Sequence, residues 1–395
     1  MRLSPLILLL FIGSLAQTSP AQPHSGEALV SNGVFLDDPD IKEVCDFWQA
    51  YLHSRPDSIY ENPFWNPEEK QMFKAVDLLT QTHLGNIYQM MPSYPPTILS
   101  ITPVKEYYKI RTMFAQHADS GFCDPLAITN VYAKKTNGKY HLYNSLLIET
   151  ERWAFKSVGS IMFIAPKGHQ FDTAKMRLMA LLADSLAVLV GVPVGDPMRH
   201  TTYFISDTKE ELYRAIGLDY FMGEGNKQTP SGFADITNSI IYGAGQGEWY
   251  PHELVHLYVN PKFKTADPYF LEGIATYFGG SKGHSLDWHI RHADSILTAN
   301  RDSHWIDSAL ANDWQYGSLD YSTGSCYLLG GLFCKLAYDK GGMPLVLKMM
   351  EYGPTPEKGR YKVLKELFGI EQKDAGVFLR KKIAQYAAKI PNSIQ

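Results

Sequence analysis

The sequence has few cysteines, and their placement excludes a disulfide-stapled scaffold. Only four occur among 395 residues, whereas small secreted scaffolds depend on several bridges. Cys326 and Cys334 are eight positions apart in a helical stretch, which would separate them by about 12 Å along the axis, so both are predicted to be buried free thiols. Pairing of Cys45 with Cys123 in an oxidising compartment remains open at this stage.

Excess charge of one sign is also lacking. The chain has 37 Lys and Arg against 41 Asp and Glu, for a formal net charge of −4. No long run of either sign occurs, so the charge pattern argues against binding to nucleic acid or to anionic membranes. No segment is long and apolar enough to span a bilayer, so no stable membrane anchor is expected.

The first 21 residues have the pattern of an export signal. Met1-Arg2 precedes an uncharged apolar run over residues 6–12, and small residues follow up to Ala16 and Ala21. This order is typical of a signal peptide, with cleavage predicted near Ala16 or Ala21. The mature protein is therefore expected to be soluble and exported, either secreted or periplasmic.

Residues 22–154 are predicted to form an α+β accessory domain. Helical spacing covers residues 41–52 and a second helix is predicted over Pro67–Thr82. Strands are predicted over Thr97–Thr102, Tyr107–Phe114, Ala127–Ala133 and Tyr140–Glu149, with a hairpin turn at Asn137-Gly138. Helices followed by a curved antiparallel sheet loosely resemble the cystatin-like or nuclear-transport-factor-like cone in element order, within an α+β fold class.

Residues 155–395 are predicted to form a second domain, with a mixed-sheet lobe followed by a mainly helical lobe. Its predicted strands are Ser160–Ala165, Thr202–Ser206 and Ile236–Tyr242, and its first helices are Phe171–Val190, ended by Gly191, and Thr208–Ile216. From residue 250 onward the pattern is mainly helical.

The helical lobe contains the pattern His-Glu-x-x-His at residues 252–256. Residues four apart on a helix lie on one face, so His252 and His256 can reach the same ion. Glu253 can then face the remaining coordination position and take a proton from a zinc-bound water, whose pKa the metal lowers toward about 7. The pattern therefore predicts a catalytic zinc site.

A third ligand is predicted at Glu272, on the helix that follows. Gly273 and Ala275 beside it would allow two helices to approach closely, and Asp267-Pro268 is a helix-start signal. Three protein ligands leave a fourth position open, as in catalytic zinc sites. Asp267 is the alternative third ligand, although it lies in a loop beside a proline.

Other candidate sites have weaker patterns. A metzincin would have glycine and histidine where Val259 and Lys262 stand, and His289 with His292 lacks the intervening acid, so this pair is predicted to be structural. The glycines at 243, 245 and 247 lack the lysine of a phosphate-binding loop and are interpreted as a turn.

The segment from about residue 160 to 387 resembles the gluzincin peptidases, specifically the exported "peptidase MA-like" group. The resemblance rests on Gly232-Phe233-Ala234, His252-Glu253-Leu254-Val255-His256, Phe270-Leu271-Glu272-Gly273-Ile274-Ala275 and Tyr321-Ser322-Thr323-Gly324. It implies one zinc per chain on His252, His256 and Glu272, with Glu253 as the base. It also implies that Tyr321, or Tyr316 as the fallback, donates a hydrogen bond to the developing oxyanion, and that the strand Ile236–Tyr242 is an edge strand that binds extended substrate.

The sequence departs from this family in three places. Only fifteen residues separate His256 from Glu272, Pro251 places His252 near the start of its helix, and no segment resembles the amine anchor of gluzincin aminopeptidases. The last departure favours an endopeptidase. The predicted function is therefore hydrolysis of peptide or protein substrates, and the alternative is a catalytically silent peptide- or protein-binding protein on a peptidase fold.

Overall fold

The computed structural model describes residues 28–54, 62–82, 85–117, 121–222, 231–300, 304–312, 318–320 and 322–391. These residues divide into two compact units. We call the described residues within 20–181 and 196–249 the sheet unit, and those within 182–195 and 250–395 the helical unit. The predicted signal peptide over residues 1–21 lies outside the described residues.

The secondary structure confirms an α+β fold. The strands in chain order are β1 (Leu29–Val30), β2 (Pro96–Val104), β3 (Tyr107–His117), β4 (Cys123–Thr136), β5 (Lys139–Tyr143), β6 (Ala154–Val158), β7 (Ile161–Ala165), β8 (Thr201–Ser206), β9 (Leu218–Phe221), β10 (Ser231–Asp235) and β11 (Ile240–Ala244). The helices in chain order are α1 (Pro39–His53), α2 (Pro67–Met72), α3 (Ser145–Glu149), α4 (Thr173–Val190), α5 (Lys209–Ile216), α6 (Pro251–Lys262), α7 (Pro268–Gly279), α8 (Leu286–Ala299), α9 (Trp305–Ala311), α10 (Ser325–Met349), α11 (Arg360–Val363) and α12 (Ala375–Ala387).

The first sheet of the sheet unit has the order β1-β2-β3-β4-β5, with β9 also paired to β4. Strands β2 to β5 form an antiparallel meander, and β4 and β5 are joined by Asn137 and Gly138, both with positive φ, as a tight hairpin turn requires. Helix α1 contributes buried side chains to the core of this unit, among them Trp48, whose Nε1 donates to Thr112 Oγ1 at 2.9 Å.

Two predictions in this region are wrong. The predicted helix Pro67–Thr82 ends at Met72, because Phe73 is extended, and the chain resumes as a short 3₁₀ turn that Asp77 caps. The predicted strand Tyr140–Glu149 ends at Tyr143, and its second half is helix α3. Asn144 separates the two halves of that segment and contacts a buried carboxylate through its own backbone and side chain, so tertiary contacts override the local strand pattern here.

The second sheet has the order β10-β11-β8-β7-β6. Its three central strands are parallel, and both edge strands are antiparallel to their neighbours. The predicted strand Ile236–Tyr242 is misplaced, because residues 236–239 form the turn between β10 and β11, and β10 rather than β11 lies at the edge. Gly243 lies inside β11, where a Cβ atom would meet the Tyr203 ring, so it is not part of a turn, whereas Gly245 and Gly247 have the positive φ of one.

The predicted domain boundary between residues 154 and 155 stays a prediction. Strand β9 lies beyond that boundary yet pairs with β4, so the first sheet takes one strand from the later part of the chain. The four cysteines are all free, with Cys45, Cys326 and Cys334 buried and Cys123 exposed. Among the helices of the described residues, none combines the length and the apolar character that crossing a membrane requires.

The helical unit is built around α6, α7, α8 and α10, which are packed against one another. Helix α7 begins with Pro268 in its first turn, and Asp267 caps it by accepting from Tyr269 N at 3.0 Å. Helix α10 is kinked at Gly341 and Gly342, whose dihedral angles are not helical. This unit carries all the residues of the predicted metal site.

Candidate metal centre

The first two predicted site residues lie in the first turn of α6. Pro251 is its first residue, where the missing N–H costs nothing, so His252 and Glu253 follow at the second and third positions. All three are buried, and His252, Glu253 and His256 are each 7 to 8% exposed. The helix therefore presents its ligands from its N-terminal end into the interior of the helical unit.

The two imidazoles and the Glu272 carboxylate converge. His252 Nε2 lies 3.2 Å from His256 Nε2, and Glu272 Oε2 lies 3.3 Å from the first nitrogen and 3.6 Å from the second. The three residues form a group of potential metal ligands within the part of the chain that the structure describes. A nearly equilateral triangle of two nitrogens and one oxygen results.

The size of this triangle fits a zinc ion. Tetrahedral zinc binds His nitrogen and carboxylate oxygen at about 2.0–2.2 Å, which separates any two ligand atoms by about 3.3–3.5 Å. The three measured separations bracket that value. Two imidazoles and one carboxylate are also a donor set found in catalytic zinc sites, and they leave a fourth position open.

Hydrogen bonds on the far side of each imidazole fix which nitrogen faces the centre. His252 Nδ1 donates to the Gly280 carbonyl oxygen at 2.7 Å, and His256 Nδ1 is 3.2 Å from Asn260 Oδ1. Since a carbonyl oxygen can only accept, Nδ1 of His252 carries the proton and its Nε2 offers a lone pair. This arrangement is the usual outer shell of a metal-binding histidine.

The electrostatics favour a positive charge at the centre of the triangle. Burial lowers the pKa of His256, but the Glu272 and Glu253 carboxylates outweigh it and raise that pKa to about 9. Burial likewise raises the pKa of Glu272, but the two histidines outweigh it and hold that pKa well below its ordinary value. The carboxylates that stabilise a proton on His256 would equally stabilise a cation bound between the three groups.

Glycines set the spacing of the helices around the centre. A Cβ atom on Gly273 would overlap the backbone of Gly330 in α10, and a Cβ on Gly279 would overlap the backbone of His252 in α6. The expectation that Gly273, beside Glu272, allows α6 and α7 to approach closely is therefore wrong for that residue. Gly273 serves the contact with α10, and Gly279 serves the contact with α6.

The alternative ligands are engaged elsewhere. Asp267 is fully buried, caps α7 and forms an ion pair with Arg360, whose Nε lies 3.1 Å from Asp267 Oδ2. His289 is bonded to Ser281 and Thr323, and His292 to the Asp320 carboxylate. The two tyrosines proposed as oxyanion donors, Tyr321 and Tyr316, lie outside the described residues.

Two further tyrosines near the centre were missed by the sequence analysis. The ring of Tyr327, in the first turn of α10, lies 5.9 Å from the His252 ring and nearly perpendicular to it. Burial and the negative charges of Glu272 and Glu253 raise its pKa well above the ordinary value, so its hydroxyl stays protonated. Tyr250, just before α6, donates to Glu253 Oε1 at 3.1 Å. In the sequence, Tyr250 directly precedes Pro251 and therefore marks the start of the helix that carries the His-Glu-x-x-His pattern. Tyr327 lies in an apolar segment, where nothing in the sequence distinguishes it from a packing residue.

No protein-family model matches the chain, and no curated protein matches it. The geometry of the described residues is therefore what supports a functional proposal.

Proposed function

We propose that this protein is an exported, zinc-dependent peptidase of the gluzincin type that hydrolyses peptide or protein substrates, with endopeptidase activity favoured. The proposed metal ligands are His252, His256 and Glu272, with one zinc per chain, and the proposed base is Glu253. Export is proposed from the signal-like pattern of the first 21 residues.

One observation carries this proposal. Three ligand atoms from two helices meet at separations of 3.2, 3.3 and 3.6 Å, and an oxygen atom lies behind each imidazole. A buried ion-pair cluster without a metal role would need only one such contact. The arrangement instead satisfies ligand type, ligand number and outer-shell orientation together.

The residues around the ligands support hydrolysis in particular. A zinc ion held there would acidify a coordinated water and polarise a carbonyl group. Glu253 is the residue next to the first ligand, and Tyr250 donates to its Oε1, which holds in place the carboxylate that would take a proton from such a water. Burial excludes bulk water from this carboxylate and strengthens its interactions.

A protonated tyrosine hydroxyl beside the centre could stabilise the oxyanion. Tyr327 is a candidate for this role, because its ring lies 5.9 Å from the His252 ring and its hydroxyl remains protonated. Tyr321 remains the residue that the family resemblance assigns to this role. A donor of this kind contributes on the order of a hundredfold to the rate.

The test combines zinc analysis with cleavage of a peptide library by the full chain. We expect one zinc per wild-type chain and internal cleavage of extended peptides. Glu253→Gln should keep the zinc and abolish cleavage, because it preserves shape but removes the proton acceptor. Glu272→Ala should lose the zinc, and Glu366→Gln, an exposed glutamate of the same unit, should change neither property.

Three outcomes decide between the readings. Stoichiometric zinc with cleavage that depends on Glu253 supports the peptidase. Stoichiometric zinc with no cleavage of a broad library supports the alternative, a binding protein on a peptidase fold. Absence of zinc binding by the wild-type chain contradicts both the metal centre and the peptidase.

A further inference from the structure

Helix α8 carries two histidines, one turn apart, that the proposed chemistry does not use. His289 is fully buried. Its Nε2 lies 2.9 Å from Ser281 Oγ and 3.1 Å from the Ser281 carbonyl oxygen, and its Nδ1 lies 3.1 Å from Thr323 Oγ1. A single imidazole therefore joins the turn after α7 to the loop before α10.

The turn after α7 carries the oxygen that orients a proposed zinc ligand. Ser281 directly follows Gly280, whose carbonyl accepts from His252 Nδ1 at 2.7 Å. The peptide between Gly280 and Ser281 is fixed on its other side as well, because Ser281 N donates to the His284 carbonyl at 2.8 Å. A Cβ on Gly280 would overlap that same carbonyl, so the turn has little room to move. The position of this peptide therefore sets the angle of the His252 ring.

The loop before α10 is held from the same helix. Thr323 is fully buried and its N–H donates to Asp320 Oδ1 at 2.8 Å, while the other oxygen of Asp320 is bonded to His292. Helix α10 begins two residues after Thr323, with Tyr327 in its first turn. Helix α8 thus holds both segments that flank His252 in the helical unit.

The protonation of His289 is determined by its partners. The Ser281 carbonyl can only accept, so Nε2 carries the proton and donates it. Burial lowers the pKa of His289 to about 4, so the ring is neutral at neutral pH and Nδ1 is an acceptor for the Thr323 hydroxyl. The two bonds have opposite directions, and each needs a different ring nitrogen.

We infer that His289 is a positioning residue for the metal centre: through its bond to the Ser281 carbonyl it holds the Gly280 carbonyl that orients His252. The inference rests on the proposed zinc site and adds a residue that touches neither ligand nor metal. The Gly280 carbonyl is the group bonded to the ligand itself, and loss or displacement of such a partner typically changes metal affinity by about 10- to 100-fold.

Three substitutions at this position separate positioning from packing. His289→Gln places an amide N–H near the site of Nε2 and can keep the Ser281 bond. His289→Asn places its amide near the site of Nδ1 and can keep only the Thr323 bond. His289→Met preserves bulk and keeps neither bond. The readouts are the zinc Kd of the full chain, by competition with a chromophoric chelator, and the Tm of the metal-free protein.

We expect the Asn and Met variants to bind zinc at least about 10-fold more weakly than wild type, and the Gln variant to stay within about threefold. His53→Asn, which removes an exposed histidine of the sheet unit, controls for adventitious zinc binding and should match wild type. If the Asn variant does not fold, the comparison of Met with Gln decides.

Equal zinc Kd values for the Gln, Asn and Met variants would overturn the inference, even if their Tm values all fall, because equal Kd with lower Tm is the result for a packing histidine. That outcome leaves the proposed metal centre intact as long as the wild type binds zinc. Failure of the wild type to bind zinc would remove the metal centre and, with it, the role of His289.

Discussion

The buried carboxyl of Glu69 should make the protein less stable as the pH rises from about 5 to 8. This side chain of α2 is only 4% exposed. Its Oε2 accepts from the Asn144 backbone N at 3.0 Å and from the Asn144 side chain at 2.6 Å. Burial raises its pKa from 4.5 to about 7; the bonds from Asn144 oppose this rise, and the charge of Asp77 adds to it.

The sign of the effect follows from proton uptake. Between pH 4.5 and about 7 the folded state holds a proton on Glu69 that the unfolded state has lost. The contribution of the Glu69 carboxyl to the free energy of unfolding is therefore fully present below pH 4.5 and is lost as the pH rises through about 7. At about 1.4 kcal/mol for each pH unit of the change, the loss amounts to about 3 kcal/mol. Ordinary acid denaturation has the opposite sign.

The variant that isolates this effect is Glu69→Gln, which is neutral at every pH and can still accept from Asn144. Relative to wild type, we expect its free energy of unfolding to rise by about 2–3 kcal/mol more at pH 8 than at pH 5. Urea unfolding followed by tryptophan fluorescence provides the measurement, since Trp48 and Trp65 are buried in the same unit. Glu68→Gln, an exposed glutamate on the same helix, is the matched control and should show the same difference at both pH values.

A difference between Glu69→Gln and wild type that does not depend on pH would refute the reasoning. It would mean that the folded protein carries Glu69 as an ordinary ionised carboxylate despite its burial. A larger gain in stability of the variant over wild type at pH 5 than at pH 8 would refute the sign as well.

Three further predictions concern the helical unit. Gly279→Ala should weaken zinc binding by at least about 10-fold in chelator competition, because the added Cβ displaces the first turn of α6; unchanged affinity would show that the helices can separate freely. Tyr327→Phe or Tyr321→Phe, whichever hydroxyl serves the oxyanion, should lower kcat by on the order of a hundredfold at unchanged zinc content, and full activity of both variants would exclude both residues. Asp267→Asn should lower the free energy of unfolding by about 3–5 kcal/mol in urea, because it leaves the Arg360 charge buried and unpaired. The folded variant should still bind one zinc per chain, and loss of zinc from it would mean that Asp267 is a ligand.

Much of the fold was predictable where local signals were strong. The hairpin at Asn137-Gly138 and the helix that Thr208 caps and Gly217 ends have turn and cap residues whose preferences are intrinsic to the backbone. The convergence of the His252 and His256 imidazoles follows from helix geometry alone. Predictions of this kind need no knowledge of distant contacts.

The remaining parts depend on contacts that no local pattern encodes. Residues 67–82 have helical spacing, yet the exposed Met72 and the extended Phe73 show that the core selects a different path. The Gly280 carbonyl and the ring of Tyr327 reach His252 only because three helices pack together. Outer-shell partners of a site are therefore the part that sequence reasoning misses first.

The glycine contacts described above also limit which carboxylate can occupy the third position of the proposed ligand set. Helix α7 contacts the backbone of α10 at Gly273 and the backbone of α6 at Gly279, and neither contact leaves room for a Cβ atom. Replacing Glu272 by aspartate would shorten the side chain by one methylene, about 1.5 Å. Helix α7 cannot move closer to α6 to compensate, because Gly279 is already in close contact with the His252 backbone. The proposed third ligand is thus matched in side-chain length to the spacing of the helices that these glycines set.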